Sequence, residues 1–162
     1  MQELATVQTP DSSGTETSFP PDRDIVVRSS PGMMMEPAPI EPSWILSGNP
    51  VARLARHSVA DDKASNTALW DCTAGTFRWF FGWDETVYIL DGEVRVTSES
   101  GNEFVLRAGD IAYFRAGTWA TWRVDQYVRK IAFLRRPMPK PVSLLYRIVA
   151  RLRGRSSGPQ GL

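Results

Sequence analysis

From Ser43 to about residue 137 the chain alternates short apolar runs with turn residues. The runs are rich in Val, Ile, Phe, Tyr and Trp, which favour a pleated, half-buried surface. Ala68–Asp71 and Thr76–Trp83 read as strands separated by a turn at Thr73-Ala74-Gly75. Thr86–Leu90 and Glu93–Ser98 read as a hairpin joined by Asp91-Gly92, where positive φ favours glycine. Phe104–Leu106, Ile111–Phe114, Trp119–Val124 and Tyr127–Leu134 follow, each behind its own turn. Along Glu93-Val94-Arg95-Val96-Thr97 the two valines fall on one face and the polar side chains on the other. Strands at this spacing, with no helical pattern between them, predict an all-β sandwich or barrel rather than βαβ units.

The flanks differ from this region. Residues 1–42 are rich in Pro, Ser, Thr and acid and offer little to bury beyond Ile25-Val26-Val27 and Met33-Met34-Met35. They read as a disordered acidic arm, with those two clusters as incidental apolar residues. After Pro137-Met138-Pro139-Lys140-Pro141, the apolar residues Val142, Leu145, Val149 and Leu152 recur at helical spacing, with Arg147 and Arg151 on another stripe. A short basic amphipathic helix is expected over 141–155, with a tail to 162. Charge follows the same division. Residues 1–42 hold seven acids against two arginines, 43–134 are nearly balanced, and 135–162 hold seven bases and no acid, so a net charge of +1 conceals a gradient.

The composition excludes several chemistries. One cysteine, Cys72, cannot form an internal disulfide. One histidine, His57, cannot supply a site built from two or three imidazoles. No run approaches the length of a membrane-spanning helix, and the N-terminus lacks the pattern of a secretory signal, so a cytoplasmic location is expected. A Gly-rich phosphate loop and a Ser–His–Asp set are both missing from the sequence. The basic helix has only Tyr146 for stacking on bases, so nucleic acid is not the expected partner. Its stripes fit an anionic membrane surface or a partner protein.

Two stretches carry a family resemblance. GTFRWFFGWDETVYILDGEVRV, residues 75–96, is followed by LRAGDIAYFRAGTWATWRV, residues 106–124. The first has a glutamate, Glu85, six residues and a glycine, Gly92; the second has Gly109-Asp110 before a strand and Gly117 after it, with Arg115 where proline is usual. These spacings resemble the two motifs of the cupin family, and the texture of residues 43–137 is similar to the cupin subfamily named for ureidoglycine aminohydrolase. The resemblance implies a cupin-like double-stranded β-helix, a small jelly-roll barrel over 43–137, and a homodimer.

The resemblance also implies a site. Metal-binding cupins use two histidines and a glutamate from the first motif and one histidine from the second. Those positions fall on Trp79, Phe81, Glu85 and Ala120. One carboxylate cannot hold a transition metal tightly, so neither metal nor other cofactor is expected. Trp79, Phe81, Trp119 and Trp122 gather where the interior should lie, with Trp83 and Tyr88 near. They either fill the barrel or wall a pocket for a small molecule, with Glu85, Arg78 or Arg115 as polar anchors. A carboxylate in such a place is costly unless paired, which makes Glu85 the candidate general acid or base. A binding or scaffold domain is the first expectation; an aminohydrolase-like enzyme is the second.

Overall fold

The computed structural model describes residues 25–153. The first part of the acidic arm and the tail beyond Arg153 lie outside the described residues. Eight strands and one helix follow in order: β1 (Glu36–Pro37), β2 (Ile45–Gly48), β3 (Ala52–Val59), β4 (Ser65–Phe81), β5 (Asp84–Ser98), β6 (Glu103–Arg107), β7 (Ile111–Phe114), β8 (Thr118–Arg135) and α1 (Lys140–Arg153). All pairings are antiparallel.

Three strands are too long to stay in one layer. β4, β5 and β8 run 17, 15 and 18 residues, and each changes partners midway. The first half of β4 pairs with β3 and with residues 127–135 of β8; its second half pairs with β2 and with residues 118–124. β5 pairs with β7 through residues 85–88 and with β6 through residues 93–97. Register shifts mark the changeovers at Thr73/Gly75 in β4 and at Ile89/Asp91 and Gly92/Arg95 in β5. The result is two face-packed layers sharing three bent strands, a jelly roll of the double-stranded β-helix kind.

This corrects two expected reversals. Thr73-Ala74-Gly75 does not reverse the chain, and Asp91-Gly92 does not close a hairpin; both are corners inside continuous strands. A positive-φ glycine serves either purpose. Gly92 has φ of +75° at its corner.

Strand alternation decides the interior. Val87 and Ile89 of β5, Val128 and Ala132 of β8, Trp70 and Cys72 of β4 point inward from one layer. Phe77 and Phe81, Val94 and Val96, Ala120, Trp122 and Val124 point inward from the other. Burial pushes the Cys72 thiol up to about 12, and the neighbouring Asp71 charge adds to the effect, so the thiolate nucleophile is not available.

The segment expected as an arm through residue 42 contributes more than was expected of it. β1 pairs with β3, and Ile40 is buried in the core. Residues 28–30 tie down to the outer face of the first layer: Arg28 donates to the Arg56 carbonyl at 3.3 Å, and Arg129 to the Ser30 carbonyl at 3.1 Å. On that face Asp71 accepts two hydrogen bonds from Arg53, at 3.0 and 2.6 Å, and one from the Tyr127 hydroxyl at 3.0 Å. Arg53 and Asp71 are also register partners between β3 and β4, so this bidentate pair pins that register. Burial, then the bond to Asp71, raises the Tyr127 hydroxyl above its usual range.

Candidate functional site

The position of the first-motif glutamate follows from the parity of β5. Glu85 shares its face with Val87 and Ile89, so it points into the barrel, and it is only 6% exposed. A carboxylate there requires a partner. Lys130 supplies it. That residue sits on β8 between Val128 and Ala132, is 5% exposed, and donates from Nζ to Glu85 Oε1 at 2.6 Å. The same ammonium lies 4.9 Å from the ring centroid of Trp70 and 4.5 Å from that of Trp122. Ion pair and two cation–π contacts together compensate for the water the ammonium has lost.

Aromatic rings occupy the space above this pair. Phe77 and Trp122 stack at 6.4 Å, Trp70 and Trp79 meet edge to face at 6.1 Å, and Phe81 stacks on Phe114 at 4.3 Å. Trp79, Phe81 and Ala120, which stand where the resemblance places histidines, all belong to or pack on this core. Among the described residues no three His, Cys, Asp or Glu side chains converge in a way that could hold a metal ion. These residues therefore do not fit the metal of the metal-binding cupins.

The expected site residues do not share one environment. Trp79, Phe81 and Glu85 line a small cleft of about 260 Å³ with Trp83 and Leu134. Trp119 and Arg115 line a larger groove of about 560 Å³ between β6 and β7, whose floor includes Val96, Leu106, Phe114 and Ala120. Trp122 is buried at 1% exposure, with its indole nitrogen lacking an acceptor among the described residues. Tyr88 alternates with Val87 and Ile89, so it faces outward from the barrel rather than lying near its interior, and it is half-exposed. Arg78 stacks over Trp119 at 4.5 Å, on the rim rather than in the barrel. His57 bonds Ser58 Oγ at 3.1 Å and lines a separate small cleft with Met33 and Leu69. An open trough of about 1270 Å³ between residues 27–38 and β3 holds none of the motif residues and is the gap left under the arm.

Lys130 is the functional group that reasoning from sequence missed. Its signal was present: in Tyr127–Leu134 a lysine occupies the same parity as Val128 and Ala132.

Asp84, next to Glu85, points the other way and fixes the second motif. It accepts the Ala116 N–H at 3.0 Å and an Arg135 N–H at 2.9 Å. The backbone N–H of Ala116 first, then Arg135, holds its carboxyl below the usual aspartate value. The native state thus binds fewer protons here than the unfolded chain. The resulting stabilisation is complete above the unfolded value of about 3.9 and is lost as pH falls through the lower native value. Asp84→Asn is expected to flatten the acid limb of the stability curve, read by urea unfolding from about pH 6 down to about pH 2. Parallel acid limbs in the two proteins would refute the assignment.

Comparison with known proteins bears on the fold. Residues 59–132 match the family model of the EutQ-like cupin domain. A search of curated proteins finds no match to the sequence. Among solved structures, a DUF861-family protein of unknown function from Pseudomonas syringae pv. tomato superposes with a TM-score of 0.58 at 22% identity, over 62% of this chain and 44% of that one. A predicted oxalate decarboxylase from Thermotoga maritima gives 0.54 at 17% identity, over 70% of this chain and 99% of that one. A putative ethanolamine utilization protein Q from Salmonella typhimurium LT2 gives 0.48 at 21% identity, over 52% and 69%. Residues 59–132 are thus similar to a cupin domain, and the barrel has the fold of those solved structures. No helix among the described residues is long and apolar enough to cross a membrane.

Proposed function

We propose that this cupin domain is a metal-independent binding protein that takes a small, largely apolar ligand in the groove between β6 and β7. The observation that carries the reading is the contrast between two places. Of the positions where the resemblance places ligands, Trp79 and Phe81 pack on the core and Glu85 is paired with Lys130, whereas Ala120 borders a groove of about 560 Å³. That volume falls within the range of small-molecule sites, about 300–1,000 Å³. Leu106, Phe114 and Trp119 supply apolar walls, and Arg115 at the rim supplies a cation, which suits an apolar carboxylate. The test is a thermal-shift screen of aliphatic and aromatic carboxylates, with denaturing extraction of protein purified from its own cells. At least one compound should raise the melting temperature and bind about tenfold more weakly to Trp119→Ala and to Arg115→Ala. A ligand that binds both variants as tightly as wild type, or no ligand from either source, would sink the proposal.

One observation favours a second reading, an enzyme of the ureidoglycine aminohydrolase kind with Glu85 as acid or base. Glu85 lines the smaller cleft while held by Lys130, so a substrate entering that cleft would lie beside both a carboxylate and a proton donor. Turnover lost in Glu85→Gln with an unchanged circular dichroism spectrum would support it, and unchanged turnover would end it.

The homodimer implied by the resemblance belongs to the proposal too. The outer face of β5, β7 and β8 carries Tyr88, Ile111, Tyr113 and Phe133, each at least 39% exposed. Light scattering of Ile111→Asp against wild type reads it.

A further inference from the structure

α1 is amphipathic, yet most of its apolar stripe packs on nothing among the described residues. Val142, Leu144, Leu145, Tyr146 and Ile148 are 48–63% exposed. A helix packed by its apolar face would bury them. On a helical wheel Val142, Leu145, Ile148 and Val149 form one sector, and Arg147 and Arg151 lie across from it. Neither arginine has an acidic partner among the described residues. Three prolines at 137, 139 and 141 lead into the helix and set it off from β8.

We infer that α1 is a docking element for an anionic lipid surface, lying in the headgroup plane with its apolar sector inserted. Charge decides among the candidates. Residues 135–162 carry seven bases and no acid, so the partner must bring negative charge and an apolar phase together. An anionic bilayer offers both along a helix about 21 Å long. A second copy of α1 would cover the apolar stripe but leave the arginines, on the opposite side, with no counter-charge. The acidic residues of segment 1–24 offer charge, yet that segment has only Met1, Leu4, Val7 and Phe19 as large apolar residues to cover the stripe. Nucleic acid would pair with the arginines and leave the exposed leucines in water. The proposal is independent of any ligand in the barrel.

The experiment is co-sedimentation of the full chain with phosphatidylcholine vesicles, with and without about 30% phosphatidylglycerol. Binding is expected only to the anionic vesicles, and should fall at least about tenfold in about 0.5 M NaCl. Two double variants divide the contributions: Arg147→Glu with Arg151→Glu, and Leu145→Asp with Ile148→Asp. Each is expected to lose vesicle binding by at least about tenfold while the melting temperature of the barrel stays unchanged. Failure of wild type to sediment with anionic vesicles at low salt overturns the inference. So does vesicle binding that survives the aspartate pair, since no apolar insertion would then be involved. Two further results reassign the helix and equally overturn it: duplex DNA bound by both wild type and the aspartate pair, or a dimer in light scattering that the aspartate pair dissolves while vesicles never bind.

Discussion

Replacing Lys130 with methionine is expected to destabilise the barrel by about 3–5 kcal/mol, among the largest losses available from one side chain. Methionine fills a similar volume, so the loss is one of charge rather than packing. What remains is the Glu85 carboxylate, with its side chain 8% exposed and its 2.6 Å donor removed. Exchanging both residues, Lys130→Met with Glu85→Leu, is expected to recover most of that loss, because two charges then no longer need to be desolvated. Urea unfolding of the four proteins of this double-mutant cycle measures the coupling directly. A cost below about 1 kcal/mol for Lys130→Met would mean that Glu85 relaxes into the 260 Å³ cleft and meets water there. That result would show the carboxylate to be free for chemistry, and it would favour the enzymatic reading over the binding one.

The pair also explains how the barrel holds an inward carboxylate without a bound cation. In this chain the first-motif glutamate stays, and an inward carboxylate needs a cation. Lys130 provides one from the adjacent strand, and Trp70 and Trp122 surround its ammonium. The charge requirement is thus met from within the chain. The aromatic rings packed around the pair shield it from solvent, which strengthens the attraction and raises the cost of breaking it.

Much of this was legible in the sequence, and the remainder was hidden for identifiable reasons. The strand positions followed from alternation, and the cupin resemblance followed from Glu85, Gly92, Gly109 and Gly117. The direction of the chain at its glycines did not follow. Asp91-Gly92 announces positive φ, and whether a reversal or a corner results depends on the strand that comes alongside. Here residues 127–128 of β8 run beside the corner, more than thirty residues further along the chain. Thr86–Leu90 is apolar on both faces, so composition alone leaves the direction of Tyr88 open, and parity with Val87 and Ile89 sends it outward. Ile40 sits among prolines in a stretch poor in apolar residues, and its burial depends on tertiary packing that local composition does not report.

Gly92→Ala is expected to be the most damaging glycine substitution in the barrel, at more than about 4 kcal/mol or outright failure to fold. Two costs combine. The first is the positive φ of +75°, which burdens any residue with a Cβ by about 1–2 kcal/mol. The second is space: a Cβ on Gly92 would lie 2.0 Å from the Tyr127 carbonyl oxygen and 2.8 Å from its carbon. Both are backbone atoms of β8, and Tyr127 is itself held by its hydroxyl on Asp71. Retreat would pull β8 from its pairing with β4 and β5 at the point where both change layers. Gly117 separates the two costs, since it has φ of +81° but nothing within 4 Å of its added Cβ. Gly117→Ala should therefore lose only about 1–2 kcal/mol in urea unfolding. Equal losses at the two sites would mean that β5 and β8 do not approach closely at the corner, and the first-motif glycine would then be a simple turn residue after all.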